Sequence, residues 1–310
     1  MTKEGYVKRT SQRSYAASNG KELAMKEADH AIFIKKMNSL ETLLLFTSKG
    51  NFIYRPVHEL PDIRWKNLGD HVSHLASDLS AGEEIRSVID IQTFTEEKRF
   101  LFVTKNGMTK QSLITNYKPQ RYSKSMMGIK LKDDDELLSV HLIDGTEDIF
   151  LATKNGYGLR YPIAEIPESG ARTAGVKAIN LKQDDTVIGG VVLTQSDNRH
   201  ILLATQRGSL KQMKASEFEP ISRAKRGLLM LRELKNNPHR FIGITLANNK
   251  DHLFIETKTE QIVEVDVANL RVTDRYSNGS FVLDETMEGE PISIWLDIPE
   301  IKDTTDSKDE

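Results

Sequence analysis

Sixteen basic residues recur at matching places along this 310-residue chain. Six follow short glycine turns, namely Lys8, Arg9, Arg55, Lys110, Arg160 and Lys211. Ten stand in the loops further on: Arg13, Lys21, Arg64, Lys66, Arg121, Lys124, Arg172, Arg223, Lys225 and Arg226. Any one of them alone reads as an ordinary solvated charge. Their recurrence is what points to a polyanion, because cations presented periodically neutralise the phosphates of a duplex, release its counterions and need no base contact.

Other chemistries are poorly served. "HVSH" (71–74) has a metal-ligand spacing but lacks a matching third ligand. "KDDDE" (132–136) lacks the glycine and terminal glutamate of a calcium loop and reads as a solvated turn. Gly156 and Gly158 make half of a dinucleotide fingerprint with no helix behind them. Met126 and Met127 read as packing residues, and no serine or threonine stands in a nucleophile elbow. No active site, metal site or cofactor site is expected.

The elements that must position the cations are strands. "LLLFTSKGNFIYRPVHEL" (43–60), "RFLFVTKNGMTKQSLITNY" (99–117), "DIFLATKNGYGLRYPIAEI" (148–166), "HILLATQRGSLKQMKASEF" (200–218) and "HLFIETKTEQIVEVDVANL" (252–270) align on one turn, and "KEGYVKRTSQRSY" (3–15) is a truncated sixth copy. The turn residues are Gly5, Gly50, Gly107, Gly156, Gly208 and Glu260. Apolar first arms rich in β-branched and aromatic residues, then alternating second arms, describe hairpins whose turns require positive φ. A loop glycine follows 19 residues after the turn at Gly69, Gly175, Gly227 and Gly279, and 21 after it at Gly128. In the first copy Gly20 stands only 15 residues beyond Gly5.

Each unit thus carries about four strands. Six such units without an amphipathic helix predict an all-β, six-bladed propeller-like domain over 1–300, followed by an acidic disordered tail at 301–310. The first unit lacks the apolar arm that precedes every other turn. Either the sequence begins inside a blade or ring closure borrows a strand, so a closed and a broken ring both remain open.

The formal charge of −2 hides an asymmetry: ten of the 45 acidic and two of the 43 basic residues lie from Asp284 onward, leaving 35 and 41 before it. The absence of cysteine excludes disulfides and fits a reducing compartment, with cytoplasm the expectation. The longest apolar run, Val187 to Leu193, is far short of a membrane helix, and the first thirty residues lack a signal-peptide core. In the last unit Glu264 and Asp266 replace the cations, so a basic rim is an arc with a gap.

The repeated Thr-x-x-Gly hairpins followed by Lys or Arg, "GYVKRTSQRSY" at the start and the spaced basic loops resemble the C-terminal domain of the A subunit of bacterial type IIA topoisomerases, gyrase and topoisomerase IV. The likeness covers residues 3–300. It implies a β-pinwheel, a propeller variant in which neighbouring blades exchange a strand and whose rim binds and bends duplex DNA. It further implies a non-catalytic domain, with the reactive tyrosine elsewhere in the subunit, and partners in the rest of that subunit and the ATPase B subunit, near the bacterial nucleoid. The family's gyrase branch carries a Gln-Arg-Arg-Gly-Gly-Lys-Gly box. Here "SQRSYAASNGKE" (11–22) keeps Gln12, Arg13, Gly20 and Lys21 but not the box, which favours the topoisomerase IV branch and steering of a transported segment. Wrapping by a gyrase domain and a protein-binding propeller are the alternatives.

Overall fold

The computed structural model describes residues 1–132 and 134–298. The calcium-loop candidate at Asp133 and the tail at 301–310 therefore fall wholly or partly outside the described residues.

Four of the hairpins are closed by a Thr-x-x-Gly turn, and Glu260 takes the glycine's place in the fifth. The glycine N–H donates to the threonine carbonyl at 3.0–3.1 Å at Gly50, Gly107, Gly156 and Gly208. The threonine hydroxyl accepts from the next residue, as in Asn51 N to Thr47 Oγ1 at 3.2 Å and Tyr157 N to Thr153 Oγ1 at 3.0 Å. The four glycines hold φ of +75° to +92°, a region that a Cβ disfavours. Glu260 occupies it at +60° without that freedom. Two positions before the inner strand, Glu83, Asp135 and Asp185 brace the turns of their units from outside, and His239 takes that place in the Gly208 unit. Asp135, buried, accepts from Thr104 Oγ1 at 2.7 Å and Asn106 N at 2.8 Å, so within the expected solvated turn, where Lys132 and Asp134 are exposed, this one residue is a structural cap.

The first arms, such as Thr42–Thr47 and Arg99–Thr104, are paired on both edges and buried on both faces, which is why they read as unbroken apolar runs. Four sheets have four strands in the order inner strand, first arm, second arm, donated strand. The donated strand comes from the following unit. Met126–Met127 pairs with Asn51–Phe52, Val176–Lys177 with Met108–Thr109, Leu228–Leu229 with Tyr157–Gly158, and Ser280–Phe281 with Ser209–Leu210. The strand exchange implied by the family resemblance is present.

The blade count differs from the expected six. The Gly50, Gly107, Gly156 and Gly208 blades have four strands and the Glu260 blade has three, its second arm Ile262–Asp266 carrying no donated strand among the described residues. The Gly5 unit contributes only a two-stranded patch, Tyr6–Val7 against Asp70–His71. The described residues thus form five blades. In the Gly5 unit no first arm pairs with Tyr6–Val7 among them, and ahead of the turn only Thr2, bridged to Ala31, is paired, so this unit does not build a blade.

The register also reassigns one glycine. The residues paired with the first position after each turn are His71, Met127, Lys177, Leu229 and Phe281. Counting back, Ser125 stands where Gly69, Gly175, Gly227 and Gly279 stand, so Gly128 is not their equivalent. The spacing in this unit becomes 18 residues, one short of the 19 in the other four. Met126 and Met127 form a donated strand in which Met126 packs against the core, as expected, and Met127 is exposed.

The core lies between blades. Phe46, Phe52, Phe100 and Phe102 surround Tyr117 at 5.0–6.2 Å between ring centroids, and Tyr117 Oη donates to the Gly128 carbonyl at 3.0 Å. Burying each such ring stabilises the fold by about 1.5–3 kcal/mol. Inner strands Ile85–Ile91, Leu137–Ile143, Val187–Leu193, Phe241–Ala247 and Pro291–Leu296 contact one another in succession. They line an open hollow of about 550 Å³ walled by Val140, Val191, Leu246 and Leu296. His141 lines it, held near pKa 4 by desolvation.

Candidate nucleic-acid interface

The six post-turn cations do not form one station. Lys8, Lys110 and Lys211 stand three residues past their turns, Arg9 and Arg160 four, and Arg55 five. Alternation along a strand sends the odd and even offsets to opposite faces. All six are also overlain by loops, which the sequence pattern does not reveal.

Lys110 and Lys211 are fully buried. Lys110 Nζ donates to the Gly128 carbonyl at 2.8 Å and lies over the Phe102 ring, 5.2 Å from its centroid. Lys211 Nζ donates to the carbonyls of Met230, Arg275 and Ser277 at 2.5–2.6 Å. Desolvation draws both amines down to about 8. Lys8, half-buried, makes the same three-carbonyl contact with Arg64, Trp65 and Asn67 at 2.5–3.2 Å. These lysines are internal ties that hold the next unit's loop to the blade; as placed, Lys110 and Lys211 do not reach a phosphate.

The arginines are similarly engaged. Buried Arg55 donates to the carbonyls of Tyr54, Tyr122 and Leu75. Arg160 pairs with Asp148 at 2.8 Å and caps the 3₁₀ turn Ala215–Glu217 by donating to the carbonyls of Ala215 and Phe218, both at 3.2 Å. Arg9 stands 3.4 Å from Asp62. Arg223 donates to the carbonyls of Glu165 and Lys177.

Nine of the sixteen remain exposed: Arg13, Lys21, Arg64, Lys66, Arg121, Lys124, Arg172, Lys225 and Arg226. Arg13 lies on the short helix Gln12–Ala16, and Lys66 pairs with Glu22. Lys21 offers its carbonyl to Trp65 Nε1 at 2.9 Å, which fixes this loop against the next. The other six all lie in the loops that feed donated strands. At Gly227 a Cβ would stand 2.2 Å from the Gly158 carbonyl oxygen, so there only a bare backbone lets the loop meet the blade.

These loops are stitched together along the outer edge. Ser125 N donates to Asp78 Oδ1 at 3.1 Å, Lys130 N to the Thr173 carbonyl at 3.0 Å and Asn180 N to the Lys225 carbonyl at 2.9 Å. Arg232 N reaches Asn278 Oδ1 at 2.6 Å. The stitching brings in three exposed cations that the repeat reading missed, Lys130, Lys177 and Arg232. Lys130 and Arg232 both stand three residues past the end of a donated strand, and Asp284 occupies that place in the last unit. Donated strands of two residues are too short to show a period, so nothing in the sequence marks this position.

In the Glu260 blade exposed Glu264 pairs with His252 at 2.8 Å. His71 Nδ1 meets Ser73 Oγ at 2.9 Å, so "HVSH" makes a local turn, and no cluster of three or more metal-ligating side chains is found among the described residues. No helix among them is long and apolar enough to cross a membrane.

The family model of the DNA gyrase C-terminal domain, beta-propeller, matches residues 1–21, 41–92, 98–144, 147–194 and 199–248, one segment for each unit up to the Gly208 hairpin. The A subunit of DNA topoisomerase 4 from Bacillus subtilis (strain 168) is 50% identical over 295 residues, covering 95% of this chain and 36% of that protein. The corresponding protein of Streptococcus pneumoniae is 40% identical over 314 residues, covering 96% of this chain and 38% of its own length. The chain thus spans little more than a third of these curated relatives. A crystal structure of the C-terminal domain of DNA topoisomerase IV superposes with a TM-score of 0.92 at 50% identity, over 96% of this chain and 91% of that one. A DNA gyrase A C-terminal domain superposes at 0.71 with 18% identity, over 96% and 98%, a likeness of fold alone. A strand-exchanged propeller, Thr-x-x-Gly hairpins and half-identical relatives together place this chain in the family of DNA gyrase C-terminal beta-propeller domains, among relatives that are topoisomerase IV A subunits.

Proposed function

We propose that this chain binds duplex DNA along the outer rim of loops, without reading base sequence, and bends it. The observation that carries the reading is the run of exposed cations in hydrogen-bonded succession from Arg64 to Arg232. Smooth bending of a 20–30 bp site by 40–90° costs on the order of 1–6 kcal/mol, which distributed phosphate contacts offset. Acidic Glu264 and Asp284 mark where the track ends.

Residues 1–300 act in this reading as one binding unit of a topoisomerase IV A subunit, with 301–310 outside the track. The role is non-catalytic and needs no cofactor in this chain. It presents a curved segment to the strand-passing remainder of the subunit and, through that, to the ATPase B subunit, and so steers decatenation and relaxation in the bacterial cytoplasm.

Titrating the chain with duplex DNA across a range of salt tests it. Each neutralised phosphate contributes a slope of about −0.9 to log K against log salt, so six contacts give about −5. A flat response overturns the reading. Joined to its catalytic core, the chain is expected to support decatenation and relaxation; negative supercoiling of relaxed plasmid would assign the gyrase role instead.

A further inference from the structure

Two apolar side chains interrupt the basic rim in the same way. Met127 and Leu229 take the outermost register position of their donated strands, opposite Asn51 and Tyr157, and each is about 41–42% exposed. Lys124 and Lys130 stand three residues to either side of Met127, and Arg226 and Arg232 three to either side of Leu229. All four cations are exposed. The intervening Gly107 blade has Lys177 at this position, flanked by Ala174 and Asn180, and the Gly208 blade has exposed Phe281, flanked by Asn278 and Asp284 in place of cations.

Three extended residues span no more than about 10 Å. A cation at that reach on each side of an apolar tip matches the cross-section of a minor groove, about 6 Å wide with a phosphate row on each bank. Methionine and leucine are among the side chains that enter such a groove as wedges, separate adjacent base pairs and kink the duplex.

We propose that Met127 and Leu229 are wedges that unstack DNA where its minor groove crosses the rim, with Lys124, Lys130, Arg226 and Arg232 clamping the phosphates beside them. This rests on the rim being the DNA track. The bend is then concentrated at two points, on alternate blades, and duplexes with easily parted pyrimidine–purine steps at that spacing bind preferentially.

The test uses the full chain with a linear duplex carrying 2-aminopurine at successive positions and a fluorophore at each end. Wild type is expected to raise 2-aminopurine fluorescence and bring the ends together. Met127→Ser with Leu229→Ser is expected to abolish at least half of both signals while leaving the salt slope unchanged. Lys124, Lys130, Arg226 and Arg232 changed together to alanine are expected to reduce that slope by about 3–4. Normal salt-dependent binding without a fluorescence rise, or an unaltered bend in the double variant, overturns the wedges alone. Absence of salt-dependent binding by wild type overturns the track and the wedges together.

Discussion

The imidazole of His30 lies flat on the indole of Trp295, 3.7 Å between centroids and 3° between planes. This stack joins the Gly5 unit to the inner strand of the Glu260 blade, whereas among the described residues no donated strand pairs with Ile262–Asp266 at the rim. Desolvation lowers the His30 pKa from its usual 6.5, against the nearby carboxylates of Asp29 and Glu256, which raise it, and Lys3, which lowers it. The folded chain binds this proton less tightly than the unfolded one, so the stabilisation is complete above about pH 6.5 and is lost as pH falls through the folded value. Trp295 fluorescence, read in a Trp65→Phe background, is expected to change on acidification below 6.5, and His30→Phe is expected to keep the stack and remove that pH dependence.

The buried lysines act in the opposite part of the pH scale. With Lys110 and Lys211 held near 8 against an ordinary 10.5, unfolding takes up protons between those values, and stability rises with pH. Each contributes a slope of up to about 1.4 kcal/mol per pH unit. Tyr117 and Tyr161, pushed upward by burial, oppose the trend only above pH 10. Urea unfolding at several pH values from 8 to 10 is expected to show rising stability in wild type and a flatter line in Lys110→Met with Lys211→Met.

DNA binding separates the two classes of cation. Lys110→Met and Lys211→Met, which remove internal ties, are expected to leave the salt slope unchanged. Arg121, Lys124, Lys225 and Arg226 changed to alanine are each expected to reduce it by about 0.9. Fluorescence anisotropy with a labelled duplex at four salt concentrations checks both.

At the last turn, Glu260 holds φ +60° where the other units have glycine. Glu260→Gly is expected to stabilise the chain by about 1 kcal/mol. Gly208→Ala is expected to destabilise it by more, because its Cβ would stand 2.6 Å from the Leu283 carbonyl oxygen at φ +79°. Paired thermal melts measure both.

The hairpins were legible because their cause is local: a threonine hydroxyl, a positive-φ glycine and a run of apolar residues announce themselves within ten positions. The count of blades was not legible, because a Gly5 turn in the sequence does not reveal that its unit pairs only as the two-stranded patch Tyr6–Val7 with Asp70–His71. The direction of Lys110 was not legible, since it turns on an odd or even offset and on a loop contributed some twenty residues later. Ser125 in a glycine's place and the rim positions of Lys130 and Arg232 emerge only from register. Asp135 looked like one charge in an acidic run, and only the hydrogen bonds to Thr104 and Asn106 distinguish it.

Because the outer strand of the Gly50, Gly107, Gly156 and Gly208 blades belongs to the unit that follows, these blades cannot mature on their own stretch of polypeptide. Emerging from the ribosome, Asn51–Phe52 must wait with an open edge until Met126–Met127 has been made. A stop or nick in any unit thus injures its predecessor as well as itself, and damage travels towards the amino end.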